Sequence, residues 1–405
     1  MTSSRFGRLA PGVRDVLPAE AHRMRGLKDR FSKLVEVWGY KEVVTPTFEY
    51  MENLASEEIE EDKFFKFLDR QGHLMALRPD MTRPIARLVA TRMKGITPPL
   101  RLFYLANVFN YEQPQVGRQR EFYQAGVELM GTSSPEADAE AVALVTEYLM
   151  QTGLGDFQIS IGHVGIFHGL VEQLGLPKEV AQDLKEALGN KDFVKVEEIF
   201  ASHAATPEEA RRALALIELR GGPEVLDRAM ELAQEGPAAE AIENLRQLYQ
   251  GLTCYGADRY ITLDLGLLRG LDYYTGLVFE GYTVALGFPI CGGGRYNQLL
   301  AHFGYPLPAT GFAVNLERVL VALERLQEPP KEPATDVLVA WEQDSMARAL
   351  AVTRDLRNQG LKVTTALYEY PPAKAKSEAR TLGASRVIYF YNDGTREEFD
   401  LPEKR

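Results

Sequence analysis

At 405 residues, with 45% apolar and 25% charged side chains, the chain has enough apolar mass for two or three globular domains. It has no run of about 18 uninterrupted apolar residues and no secretory core in its polar start, which excludes a spanning helix and reads as cytoplasmic. The net charge of -11 argues against a surface given over to nucleic acid, although a local basic patch can coexist with it; the two cysteines, Cys254 and Cys291, lack a Cys-x-x-Cys partner and the six histidines make no metal spacing, so the cysteines read as packed thiols in a reducing compartment.

In chain order, Pro11 to Pro18 is extended and turn-like, and a helical pattern covers residues 19–38. Residues 42–49 read as a strand interrupted at Pro46, as an edge strand tolerates. Residues 64–79 read as a hairpin turning at Gln71-Gly72. Pro79 disfavours helix before it, so Asp80 and Thr82 stand at the mouth of a helix over residues 85–93, where Asp80 either caps the helix or faces a ligand. Residues 102–109 and 121–130 form two strands around a polar turn. The period of two puts Phe122, Gln124, Gly126, Glu128 and Met130 on one face, so that an amide and a carboxylate flank a glycine gap able to seat a small polar ligand. A sheet with one wet face is the plainer reading of the same alternation, but Glu112, Arg118, Arg120 and Glu121 crowd the turn as at a ligand mouth.

Residues 135–152 are an acidic amphipathic helix and residues 157–163 a short strand. Over residues 165–251, leucines recur at helical spacing among charges with no strand pattern, which predicts a helical insertion with solvated charged faces. Strand character returns over residues 259–268, followed by Arg269, Tyr273 and Tyr274, an arginine and two phenols able to supply a carboxylate clamp and phenolic partners, although an arginine in a surface ion pair is the commoner case. Residues 277–285 read as a strand and residues 291–296, Cys-Gly-Gly-Gly-Arg-Tyr, as a tight turn beside the pocket, without the lysine and hydroxyl of a phosphate loop. Residues 310–313 are expected to open a helix whose apolar stripe is Leu316, Val319, Leu320 and Leu323, with Arg318 off it. The proline-rich residues 329–333 form a stiff linker to a small βαβαβ unit.

These segments carry a resemblance. Asn110-Tyr111-Glu112-Gln113-Pro114-Gln115, then Gly117-Arg118 and Phe122-Tyr123-Gln124, is similar to motif 2 of class II aminoacyl-tRNA synthetases in its histidyl version, and Arg269-Gly270-Leu271-Asp272-Tyr273-Tyr274 matches the histidine-specific motif of that family. The arginine that grips the ATP α-phosphate in the family falls on Asn110, and Asp80-Met81-Thr82 replaces the family's Glu-Gly-Thr. In these departures, and in Leu-Arg-Pro-Asp-Met-Thr with Pro-Ile-Ala-Arg, the chain resembles a non-synthetase branch, the regulatory subunits of ATP phosphoribosyltransferase.

The resemblance implies an α+β fold: a class II synthetase-like antiparallel sheet with flanking helices, a helical insertion and a small C-terminal α/β domain. Its divisions are residues 1–164 and 256–328 for the core, 165–255 for the insertion and 334–405 for a shortened anticodon-binding-like domain, whose shortening argues against tRNA reading. It further implies a non-catalytic subunit acting with a short-form catalytic subunit in the first step of histidine biosynthesis, a homodimer within a hetero-oligomer, and L-histidine as effector, with no cofactor or metal. Asp80, Thr82, Gln124, Glu128, Arg269, Tyr273 and Tyr274 form the expected histidine site, with Arg269 on the ligand carboxylate and Tyr274 on its imidazole; Glu112, Arg118, Phe122 and Arg318 remain as a residual nucleotide pocket. The alternative within the same resemblance is a histidyl-tRNA synthetase, for which Arg118, Arg269 and Arg318 speak.

Overall fold

The protein is described by a computed structural model covering residues 7–55, 61–111, 119–204, 206–268, 273–326 and 335–401. It divides into two compact units, Met1–Glu328 and Pro329–Arg405.

In the first unit, helix α1 (Pro18–Val37) buries Met24, Leu27, Phe31, Leu34 and Val35, the i, i+3, i+4 stripe that its sequence spells. Strand β1 (Lys41–Glu42) pairs parallel with β5 (Leu100–Phe109), whereas β2 (Phe48–Tyr50) joins another sheet, so the break at Pro46 separates two sheets. The short helix α2 (Met51–Leu54) follows, then the hairpin β3 (Lys66–Leu68) and β4 (Leu74–Leu77), which completes a three-stranded sheet ordered β2-β4-β3. Gly72 in the hairpin turn has φ +87°, a left-handed conformation that glycine adopts without strain. Helix α3 (Thr82–Arg92) buries its first turn.

The β5 hairpin partner is β6 (Glu121–Met130), followed by α4 (Pro135–Gln151) and β7 (Phe157–His163). Helices α5 (Val164–Gln173), α6 (Lys178–Gly189), α7 (Phe193–His203), α8 (Pro207–Ile217), α9 (Glu224–Ala233) and α10 (Pro237–Cys254) fill the stretch expected to be helical. One strand interrupts them: β8 (Arg220–Gly221) pairs with β9 (Ile261–Asp264), a pairing too short to leave a periodic signal. The remaining strands are β10 (Leu277–Thr283), β11 (Cys291–Arg295) and β12 (Ala309–Asn315), and α11 (Leu316–Leu326) closes the unit. The nine-stranded sheet runs β1-β5-β6-β12-β11-β10-β7-β9-β8, antiparallel from β5 to β7 and parallel at the β1-β5 and β7-β9 pairs.

Two expectations are corrected here. Cys291–Arg295 is a central strand, not a tight turn, because its glycines answer close approach: a Cβ on Gly293 would lie 2.2 Å from the Gly311 carbonyl oxygen, and one on Gly294 2.3 Å from that of Leu277. Residues 310–313 belong to β12, and the helix starts only at Leu316. There Asn315 Oδ1 accepts from the Arg318 amide at 3.0 Å, which supplies one acceptor for the helix start.

The second unit has β13 (Val337–Trp341), α12 (Met346–Asn358), β14 (Val363–Thr365), α13 (Pro372–Thr381) and β15 (Arg386–Phe390), with β14, β13 and β15 parallel as the βαβ pattern requires. The polar tail adds an antiparallel edge strand, β16 (Arg396–Asp400), four of whose five residues are charged, a composition that discourages further strand addition.

A tyrosine-walled cleft above the central strands

The site begins at the β4–α3 junction. Arg78 is buried and donates through Nε to the Asn107 carbonyl and through a terminal nitrogen to that of Thr45, each at 2.8 Å, fixing the backbone that presents Asp80. Asp80 Oδ1 accepts from the Arg83 amide at 3.3 Å, and burial lifts its carboxyl above the ordinary range. Asp80, Thr82, Tyr104, Phe122, Gln124, Tyr273, Tyr274, Glu280, Asn315 and Arg318 all line one cleft of about 280 Å³, to which Cys291 and Gly292 of β11 also contribute. That volume is near the lower end for a small-molecule site.

The expected ligand gap at Gly126 is not open. A Cβ there would lie 2.4 Å from the Tyr104 hydroxyl oxygen, so the glycine makes room for the tyrosine opposite it in the β5–β6 register. Glu128 likewise stands behind the wall: it is 2% exposed, Oε1 accepts from Thr82 Oγ1 at 2.9 Å, and Oε2 accepts from the Tyr296 hydroxyl. Burial pushes its carboxyl up to about 8 against both hydroxyl bonds, with Asp80 adding to the rise. The Tyr273 and Tyr274 rings lie 4.7 Å apart, and burial raises both phenols, so they act as neutral hydrogen-bonding groups.

The nucleotide end is less tied to the cleft. Arg318 donates to the Pro289 carbonyl at 2.6 Å and lies 4.8 Å from the Phe288 ring, while Glu317 accepts from the Tyr123 amide and fastens α11 to β6. Asn110 pairs its backbone amide with the Arg120 carbonyl at 2.9 Å. Arg120 stacks on Tyr111 and Glu121 accepts from Asn107, so the described part of the crowded turn makes contacts within the protein. Glu112, Arg118 and Arg269 lie outside the described residues.

Residue reasoning missed Tyr104, Glu280, Asn315 and Tyr296. Tyr104 and Glu280 did leave a signal: one faces the odd glycine of the neighbouring strand, and the other is the sole acid within an apolar strand. Cys291, also in the cleft lining, is buried, which pushes its thiol up to about 12 and leaves it inert.

A family model described as histidyl-tRNA synthetase matches residues 12–319. The ATP phosphoribosyltransferase regulatory subunit of Desulforamulus reducens is 85% identical over 401 residues, covering 99% of this chain and 100% of that one. The chain belongs to this regulatory-subunit family. The regulatory subunit of Moorella thermoacetica is 44% identical, covering 94% of this chain and 96% of that one. A crystal structure of an ATP phosphoribosyltransferase regulatory subunit/histidyl-tRNA synthetase from Bacillus halodurans has a TM-score of 0.86 at 35% identity, over 96% of this chain and 99% of that one. Histidyl-tRNA synthetase from Nostoc sp. PCC 7120, at 23% identity and a TM-score of 0.82 over 97% of each chain, shares the fold. The regulatory-subunit chain therefore has the class II synthetase-like α+β architecture that its motifs led one to expect. No helix among the described residues is long and apolar enough to cross a membrane.

Proposed function

We propose that this protein is the non-catalytic partner of a short-form ATP phosphoribosyltransferase catalytic subunit in the first step of histidine biosynthesis, and that L-histidine in the cleft delivers feedback inhibition. The observation that carries the ligand reading is Gln124 Oε1, a buried acceptor with no hydrogen-bond partner among the described residues, on the same wall as Asp80, Thr82, Tyr273 and Tyr274. An unsatisfied buried acceptor costs about 1–3 kcal/mol, and a ligand N–H removes that cost. Asp80 supplies the counter-charge for an α-ammonium, Arg269 the fork for a carboxylate, and the two phenols the partners for an imidazole.

The case against adenylate chemistry rests on Asn110. A neutral amide cannot give the developing α-phosphoryl charge the bidentate cationic contact that arginine gives, and losing one such donor typically costs about 3–4 kcal/mol of transition-state stabilisation. Histidine then acts by differential binding, favouring one arrangement of a homodimer within the hetero-oligomer, with a coupling of about 1–3 kcal/mol.

The test mixes this protein with the catalytic subunit, ATP and phosphoribosyl pyrophosphate. Phosphoribosyl transfer should depend on this protein and fall when histidine is added. If histidyl-tRNA accumulates when the protein alone receives ATP, histidine and tRNA, the synthetase reading replaces this one.

A further inference from the structure

A second cavity, of about 610 Å³, lies where β7 and β9 begin and β10 ends, and it shares no lining residue with the cleft. Its volume is in the middle of the range for small-molecule sites. Much of its lining is aromatic. The Phe157 and Tyr260 rings stack in parallel with their centroids 4.5 Å apart, and the Arg259 guanidinium lies 4.8 Å from the Tyr260 centroid. Tyr282 stands opposite Gln158 in the β10–β7 register, so the two share a face of the sheet, and its hydroxyl donates to Glu280, which fixes the ring. Gln158 Oε1 accepts from Thr262 Oγ1 at 2.9 Å, which orients the amide, while its Nε2 reaches only the Arg259 carbonyl at 3.5 Å, a long bond that a ligand acceptor can replace. The rim is open at Gly155, where a Cβ would meet nothing within 4 Å, and at Val284, which is 81% exposed.

The charged groups in this lining are one cation and one anion, Arg259 and Asp156. Both are exposed, and neither has an ion-pair partner among the described residues, the other included. A plain anion drawn to Arg259 would face Asp156, and a plain cation drawn to Asp156 would face Arg259. A zwitterion meets both, since a carboxylate suits the planar fork of arginine and an ammonium suits a carboxylate acceptor. Its side chain would lie among Tyr260, Tyr282 and Phe157, where a flat ring gains aromatic contact that an aliphatic one forgoes.

We propose that this cavity is a second small-molecule site, one that takes an aromatic α-amino acid, with its carboxylate on Arg259, its ammonium on Asp156 and its ring against Tyr260 and Tyr282. The site stands apart from the reading of the cleft, because none of its residues borders the cleft.

Titration calorimetry of the full chain with L-phenylalanine tests this, with phenylacetate and 2-phenylethylamine as probes that each lack one charge. L-Phenylalanine should bind with a Kd of about 1 mM or tighter, and more tightly than either probe. Arg259→Ala should weaken it about tenfold, with partial recovery in Arg259→Lys, whereas Asp80→Asn, which alters only the cleft, should leave it unchanged. L-Histidine carries the same chemistry, so its stoichiometry separates two sources of the ligand. A second equivalent weakened by Arg259→Ala makes histidine itself an occupant, and its absence leaves the site to other aromatic amino acids. Phenylalanine binding that Arg259→Ala leaves intact overturns the proposal, as does a probe lacking one charge that binds equally well. So does the absence of saturable heat up to about 10 mM phenylalanine, whatever histidine does in the cleft.

Discussion

Asp80 has two tasks, and they set the scale of its worth. It accepts from the Arg83 amide at the start of α3, and it faces the cleft, where a cation would compensate a carboxyl that burial otherwise disfavours. The choice that sequence left open between cap and ligand residue is therefore not exclusive: one oxygen serves the helix while the side chain borders the cleft. Replacing it with asparagine keeps a capping oxygen and removes the charge, so Asp80→Asn should weaken histidine binding by about 1.5–3 kcal/mol with little loss of stability. Calorimetry alongside thermal unfolding checks both halves. His163 gives a prediction of a different kind. Its Nδ1 accepts from the Gly165 amide at 3.0 Å at the start of α5, and burial with nearby Arg295 lowers its pKa from 6.5 to about 4. The unfolded chain takes up this proton as pH falls below about 6.5 while the native state resists until about 4, so stability is lost on acidification. The contribution is about 2 kcal/mol between pH 7 and pH 5. Urea unfolding should show the wild type losing that much relative to His163→Asn, which retains a capping acceptor.

Strand β11 shows why an element can be legible in composition and misread in conformation. Three consecutive glycines signal a turn when read locally, yet here the backbones of β10 and β12 and the Tyr274 ring occupy the space where side chains would stand. A Cβ on Gly294 would lie 2.9 Å from the Tyr274 ring as well as against the Leu277 carbonyl. Gly294→Ala should therefore destabilise the fold by about 1–3 kcal/mol and abolish histidine binding by shifting Tyr274, measured by urea midpoints and calorimetry. The same strand ends at Arg295, whose guanidinium meets Asp138 of α4 at 2.8 Å with both side chains buried. Removing one partner strands the other charge, so Asp138→Ala should cost about 3–5 kcal/mol in a denaturant titration. By contrast, the β5–β6 hairpin was readable from alternation, because a strand with one apolar face and one functional face keeps its period of two.

At the scale of the molecule, the second unit carries its own buried cluster around Val337, Val339, Tyr389 and Ile388, and among the described residues the cleft is lined by those of the first. A chain ending at Glu328 should accordingly fold and retain histidine binding, with circular dichroism and calorimetry as the readouts. Loss of binding in that chain would show that the second unit supports the cleft.

Periodicity in the sequence determined most elements of the fold and the face of β6 that matters, and the resemblance of its motifs to a known family implied a set of residues of which Asp80, Thr82, Gln124, Tyr273, Tyr274, Phe122 and Arg318 share one cleft. Those signals are local, being written in spacings of two, three and four residues. Only the tertiary structure decided that Tyr104 fills the Gly126 gap, that Glu128 sits behind the wall on Tyr296, and that a glycine run forms a central strand. Each of these depends on which distant strand lies alongside, and sheet order is set by packing across the whole unit.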